Sequence, residues 1–410
     1  KIISFILGFA IVLNTIFIVN ANSNANSNAN SNAKSPKEIY TLWTGGSSTH
    51  TGNGSKNNPF NMLEDAIAAA NDGDTIIIKS VPGGAGAFLN VRTDKQDKPF
   101  ILDKNITIKS ESNNNAETIN FRLRGLILNA DLTLENVTLA FQQKMYDHIF
   151  VNGHTLTLKN VKINDGTREV DIFGGSAYNK KGQLIDGYDS RFNLVTSNPG
   201  EKSVINIIND DNTNINQDYV NYEFGKIFAG SMNSVSNIPV TINIESTPKS
   251  EFETKGIFAS GAEESYVNLD DFMNLDEPVP PTEKPDLFPL DAELEVNLNR
   301  YFPVKDSKFY FDGKGANKVD LAITTSDNGI FDVAVENIDS LTLDGKISFS
   351  KLVYNNHTNA NIKSKLDLSN ESSELDLSKL DNKNITIDEF IGGGKLRVAR
   401  NSSLTINETA

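Results

Sequence analysis

Short apolar-polar-apolar triplets recur along most of this chain. Ile106-Thr107-Ile108, Leu132-Thr133-Leu134, Leu156-Thr157-Leu158, Leu341-Thr342-Leu343, Ile385-Thr386-Ile387 and Leu404-Thr405-Ile406 share one form. Successive strand side chains point to opposite faces, so each triplet puts two apolar chains on one side and Thr on the other. Thr is β-branched and suits an exposed strand position. Asn, Asp and Gly fill the intervals, as turns require. The pattern predicts an all-β protein of many short strands.

A longer echo sets the architecture. Asp131-Leu-Thr-Leu-Glu-Asn-Val-Thr-Leu139 returns as Thr155-Leu-Thr-Leu-Lys-Asn-Val-Lys-Ile163, an offset of 24 residues. That is the length of one coil of a three-sided β-helix, in which each coil stacks on the last. A β-sandwich also uses such strands, but gives no reason for a phrase to return at one coil length. A second echo, Ile172-Phe173-Gly174-Gly175-Ser176, Ile227-Phe228-Ala229-Gly230-Ser231 and Ile257-Phe258-Ala259-Ser260-Gly261, reads as a repeated corner. Ile-Phe is expected to bury there, and the small residues to let the chain turn. No Lys-Ser/Thr follows these glycines, so they do not form a phosphate loop.

One segment has a different period. Leu63, Ala66, Ile67 and Ala70 lie on one face of a predicted helix. Asn58-Pro59 is read as its start and Asn71-Asp72-Gly73-Asp74 as its stop. A single short helix before many strands is expected to cap the open end of a solenoid. Thr75-Ile76-Ile77-Ile78 then begins the strands.

The first residues have the layout of a secretory signal: basic Lys1, the apolar run Ile2 to Val19, and small residues around an expected cleavage after Ala21. An uncleaved membrane anchor is the alternative reading, since the run approaches the roughly 17–25 residues that span a bilayer. Residues 22–37, with their Asn-Ser-Asn-Ala repeat, hold too few large apolar residues to form a core and are read as a disordered linker. Residues 38–275 are the N-terminal β-helix region, 276–290 a Pro-rich loop and 291–410 a C-terminal continuation.

The 410 residues contain no cysteine, which excludes disulfides, thiolate zinc sites and a cysteine nucleophile. The net charge of -15, with no Lys/Arg-rich run, argues against nucleic acid as a partner and fits a solvated extracellular surface.

Trp43, Gly45, Gly52-Asn53-Gly54, Asn58-Pro59-Phe60, Leu63, Ala66-Ile67, Ala70 and Gly73-Asp74-Thr75-Ile76, followed by Pro99 to Ile108, resemble the entrance to the pectate-lyase-like right-handed parallel β-helix superfamily. Gly125-Leu-Ile-Leu128, Ile149-Phe-Val-Asn-Gly-His154 and Arg168-Glu-Val-Asp-Ile-Phe-Gly-Gly175 resemble, more narrowly, the adhesive domains of that type on surface proteins of Gram-positive cocci and anaerobes. The likeness covers about residues 39–275. It implies a right-handed coil and a surface-displayed structural or adhesive role. The fold also hosts lyases and hydrolases, so function must come from a site.

A lyase of this fold needs clustered carboxylates for calcium and a basic residue; a hydrolase needs paired carboxylates. The candidates are Asp210-Asp211, Glu263-Glu264 and Asp270-Asp271, although adjacent strand acids face opposite ways and solvated turns explain them as well. His50, His148, His154 and His357 show no metal spacing and are expected at the surface or in turns. Arg168-Glu169-Val170-Asp171 reads as a ligand cluster or as salt links within a turn. Tyr178, Tyr188, Tyr222 and Tyr266 read as a sugar-stacking set or as partly buried rings. No residue is singled out as catalytic, cofactor-binding or metal-ligating, and no cofactor is implied. The reading that follows is a secreted or surface-displayed, non-catalytic module holding an extracellular glycan or matrix protein. A polysaccharide lyase or hydrolase and an autotransporter passenger are the alternatives.

Overall fold

The computed structural model describes residues 35–43, 50–80, 87, 89, 98–112, 117–121, 125–141, 148–163, 170–210, 220–246, 250–263, 287–299, 309–325, 332–355, 362–378, 380, 384–398 and 402–409. The expected signal segment, most of the linker and residues 276–286 lie outside them. Among the described residues no helix is long and apolar enough to cross a membrane.

The triplets fold as their alternation dictates. All six lie in one 13-stranded sheet that runs from Glu38–Thr41 to Ser403–Thr409 in chain order. Every pairing in it is parallel, and the 24-residue echo is a pair of stacked neighbours with Leu132 opposite Leu156. A second 13-stranded sheet alternates with the first along the chain. The protein is an all-β parallel β-helix, and among the described residues one short helix lies near its N-terminal end.

In-register stacking turns apolar strand positions into continuous columns. Ile39, Ile76, Ile108, Leu134, Leu158, Ile207, Ile244, Leu298, Ile323 and Leu343 follow one another across ten strands of the first sheet. None is more than 4% exposed, so each coil's chain has apolar neighbours above and below. Burying one such side chain contributes about 1.5–3 kcal/mol, and the columns repeat that gain at every coil.

A third sheet, Thr118–Asn120, Thr138–Ala140 and Lys162–Ile163, makes the early coils three-sided. The coils after Leu290 depart from the expected three sides. Among the described residues their strands alternate between the first two sheets only, and strands such as Leu290–Asn299 and Ala316–Thr324 use ten and nine residues on one wall. The coil from Leu321 to Leu341 advances 20 residues, shorter than the 24 from Leu132 to Leu156.

The corner echo stacks as predicted, with Ile172, Ile227 and Ile257 in one row and Phe173, Phe228 and Phe258 in the next. The isoleucines face the main core. The phenylalanines face outward and continue the column Ile101, Ile127, Phe150 into a second apolar cluster. The hairpin Asp186–Tyr188 and Leu194–Thr196 returns to the edge of Phe100–Leu102 and covers its start with Ile185 and Val195. The small residues have a different cause from the expected sharp turn. A Cβ on Gly174 would lie 2.6 Å from the Ala229 carbonyl oxygen, and one on Gly230 would lie 2.2 Å from the Gly261 nitrogen. Close approach of successive coils requires them.

The helix spans Leu63–Ala69 and buries Leu63, Ala66 and Ile67, as its periodicity predicts. Its start differs from the expected Asn58-Pro59. Phe60 is drawn into a backbone exchange with the first strand, accepting from Leu42 N at 2.7 Å and donating to Tyr40 O at 2.9 Å. Extended pairing there delays the helix to Leu63, with Met62 before it and no side-chain cap. The stop is as expected: Gly73 has φ +84°, and Asp74 accepts from the backbone of Asn71 and of Lys37.

Candidate functional site

Two features share the outer face of the first sheet. The first is a polar cleft of about 250 Å³. Its floor is the outward row Ile77, Lys109, Glu135, three successive strands in register, continued by Lys159. Its wall is the loop carrying Lys56, with Tyr40 from the first strand. The loop is held by backbone bonds: Tyr40 N donates to Gly54 O at 2.8 Å and Asn53 N to Asn58 O at 3.0 Å. Lys79 Nζ also donates to Lys56 O at 3.1 Å. Gly54 has φ +78° and packs so tightly on Phe60 that a Cβ would lie 2.6 Å from the ring.

The charges of the cleft are partly matched. Lys56 Nζ stands 3.7 Å from Glu111 and 5.8 Å from the centre of the Tyr40 ring. A hydrogen bond to Glu38 holds the Tyr40 hydroxyl above its ordinary pKa. Lys159 Nζ reaches Glu135 at 3.2 Å and Asp210 at 3.4 Å. Partial burial works to lower the Lys159 pKa, but Glu135 and Asp210 together outweigh it and hold it raised. Lys109 lines the cleft and forms no ion pair with any described residue.

The second feature is a rail of side chains along the solenoid axis. Thr107, Thr133, Thr157, Asn206, Asn243 and Asn297 occupy one outward row of consecutive strands. The amides are chained: Asn297 donates to Asn243 at 2.9 Å, Asn243 to Asn206 at 2.8 Å and Asn206 to Thr157 at 3.1 Å. Asn206 and Asn243 each spend one N–H and one lone pair on this ladder and keep a second of each, whereas Asn297 gives its other N–H to Glu295 at 3.0 Å. The sequence marked Thr as an outward residue but gave no sign that Asn206, Asn243 and Asn297 fall in line, since 37 and 54 residues separate successive members.

The sequence-derived candidates scatter. Asp210 belongs to a corner ladder, accepting from Asn160 Nδ2 at 2.7 Å while Asn160 also donates to Asn136. Asn136 and Asn160 have φ 55° and 52°, a conformation Asn tolerates. Glu263 is half-buried beside the strand Gly261–Ala262. Asp211, Glu264, Asp270 and Asp271 lie outside the described residues, as do His357, Arg168, Glu169 and Tyr266. His50 Nδ1 meets Asp65 at 2.8 Å at the helix. His154 Nε2 stands 3.2 Å from Asn198 O. His148 departs from the expected surface setting: it is buried edge-on against Phe150 and Phe173, 3.8 Å from Asp171. Asp171 itself accepts from Lys226 N at 2.6 Å, a link between coils. Tyr188 is buried and Tyr178 half-buried; they form no exposed stacking platform. Among the described residues no group of His, Asp and Glu could hold a metal ion.

No family model, no curated protein and no solved structure matches the chain.

Proposed function

We propose that this chain is a secreted or surface-displayed, non-catalytic bacterial module of the pectate-lyase-like, right-handed type, and that it holds an extracellular glycan or matrix protein. The observation that carries the reading is the rail. Its three amides and the Thr157 hydroxyl are linked in one chain, and the row repeats at the strand spacing of about 4.8 Å. A pre-ordered polar row loses little freedom when an extended partner binds along it. The acidic surface suits an extracellular setting. The acids placed by the structure serve coil-to-coil links: Asp210 anchors an asparagine ladder, and Asp171 holds a backbone amide.

The test is a panel of polysaccharides and matrix proteins offered to the purified chain, with calcium and with chelator. Retention without release of unsaturated or reducing ends is expected. The paired substitution Asn206→Ala with Asn243→Ala should weaken retention roughly tenfold while the fold persists, since both residues are outward. Release of sugar ends would replace this reading with the lyase or hydrolase alternative.

A further inference from the structure

Lys109 lines a preformed concavity and forms no ion pair with any described residue, although Glu135 is its register neighbour. Its strand neighbour Glu135 turns to Lys159, and Glu111 turns to Lys56. The lining is balanced in charge, Lys56 and Lys109 against Glu111 and Glu135, but the two carboxylates turn to other lysines and Lys109 is left as the lining cation without an ion-pair contact among the described residues. Each carboxylate has about four acceptor positions, more than its lysine uses. An ion pair at 3.7 Å, like that of Lys56 and Glu111, is beyond ordinary hydrogen-bond length and leaves Glu111 able to accept from another donor.

We propose that this cleft binds a small carboxylate whose neighbouring groups are hydrogen-bond donors, as in a hydroxy acid or an amino acid. The ligand carboxylate lies on Lys109 Nζ, and its hydroxyl or ammonium donates to Glu135 or Glu111. The same two acids repel a ligand carrying several negative charges, so polyphosphate is rejected despite the lysines. The fixed wall of Tyr40 and Lys56 means that the site needs no rearrangement to receive it. This site is independent of the rail and stands or falls separately from it.

The experiment titrates the full chain with glycolate, glycine, acetate and tripolyphosphate, followed by calorimetry and by the amide resonances of Ser110 and Glu135. Glycolate or glycine is expected to bind with a dissociation constant on the order of 1 mM, with acetate several-fold weaker and tripolyphosphate absent. Whichever of the first two binds more tightly tells the hydroxyl source from the amino source. Lys109→Met should weaken binding at least tenfold, and Lys314→Met, on a remote turn, should leave it unchanged. Glu135→Gln should reduce the preference over acetate; Lys159 keeps Asp210 as a partner in that variant. Equal binding by Lys109→Met, equal binding of acetate and glycolate, or no binding at about 10 mM would each overturn the assignment.

Discussion

Tyr354 ends the strand Lys346–Tyr354 with a buried hydroxyl that has no hydrogen-bond partner. Burial pushes its pKa up, so the group is a neutral phenol throughout the working range. An unsatisfied buried hydroxyl costs about 1–3 kcal/mol, and its removal restores that amount without opening a cavity. Tyr354→Phe should therefore raise the urea midpoint, and an unchanged or lowered midpoint would mean that the hydroxyl is solvated. Other single residues were only partly legible. Gly174 and Gly230 stood out in the sequence as small, yet their reason lies in the backbone of the next coil, 55 residues on for the pair Ser176 and Ser231. Asn136 and Asn160 could be read as turn residues, but not as members of one ladder.

At the scale of the element, the helix shows what periodicity conveys and what it omits. Its buried face follows directly from Leu63, Ala66 and Ile67. Its end is sealed by Lys104, whose Nζ donates to the carbonyls of Ile67, Ala68 and Ala70 at 3.0, 2.9 and 2.9 Å. A cation on the last carbonyls satisfies orphan acceptors and opposes the helix dipole. Lys104→Met keeps most of the apolar stem and removes the donor, and should lower stability by about 1–2 kcal/mol in denaturant titration. No local pattern announces this contact, because it joins residues 34 to 37 positions apart. The same limit explains the helix start. Asn58-Pro59 has helix-start chemistry, but pairing of Phe60 with the first strand wins.

For the whole molecule, the solenoid was legible because a coil repeats itself. Leu132 and Leu156 are neighbours in space as their echo implies. The loss of the third wall among the described residues was not legible, since a long strand and two short ones show the same alternation until the corner is seen. The cleft was hidden for a related reason: its floor comes from three coils and its wall from a loop that precedes the helix. The columns also govern how the molecule bears load. Each coil holds mainly to the coils above and below it, so no distant contact locks the whole length. Pulled along its axis, the chain should yield in successive steps, each releasing one coil. The coil from Leu132 to Leu156 would release about 80 Å of chain, and an optical trap should record a sawtooth of that order. A protein that pays out in this way behaves as a shock absorber: a tether through it lengthens under sudden drag and holds its grip where a rigid rod would let go.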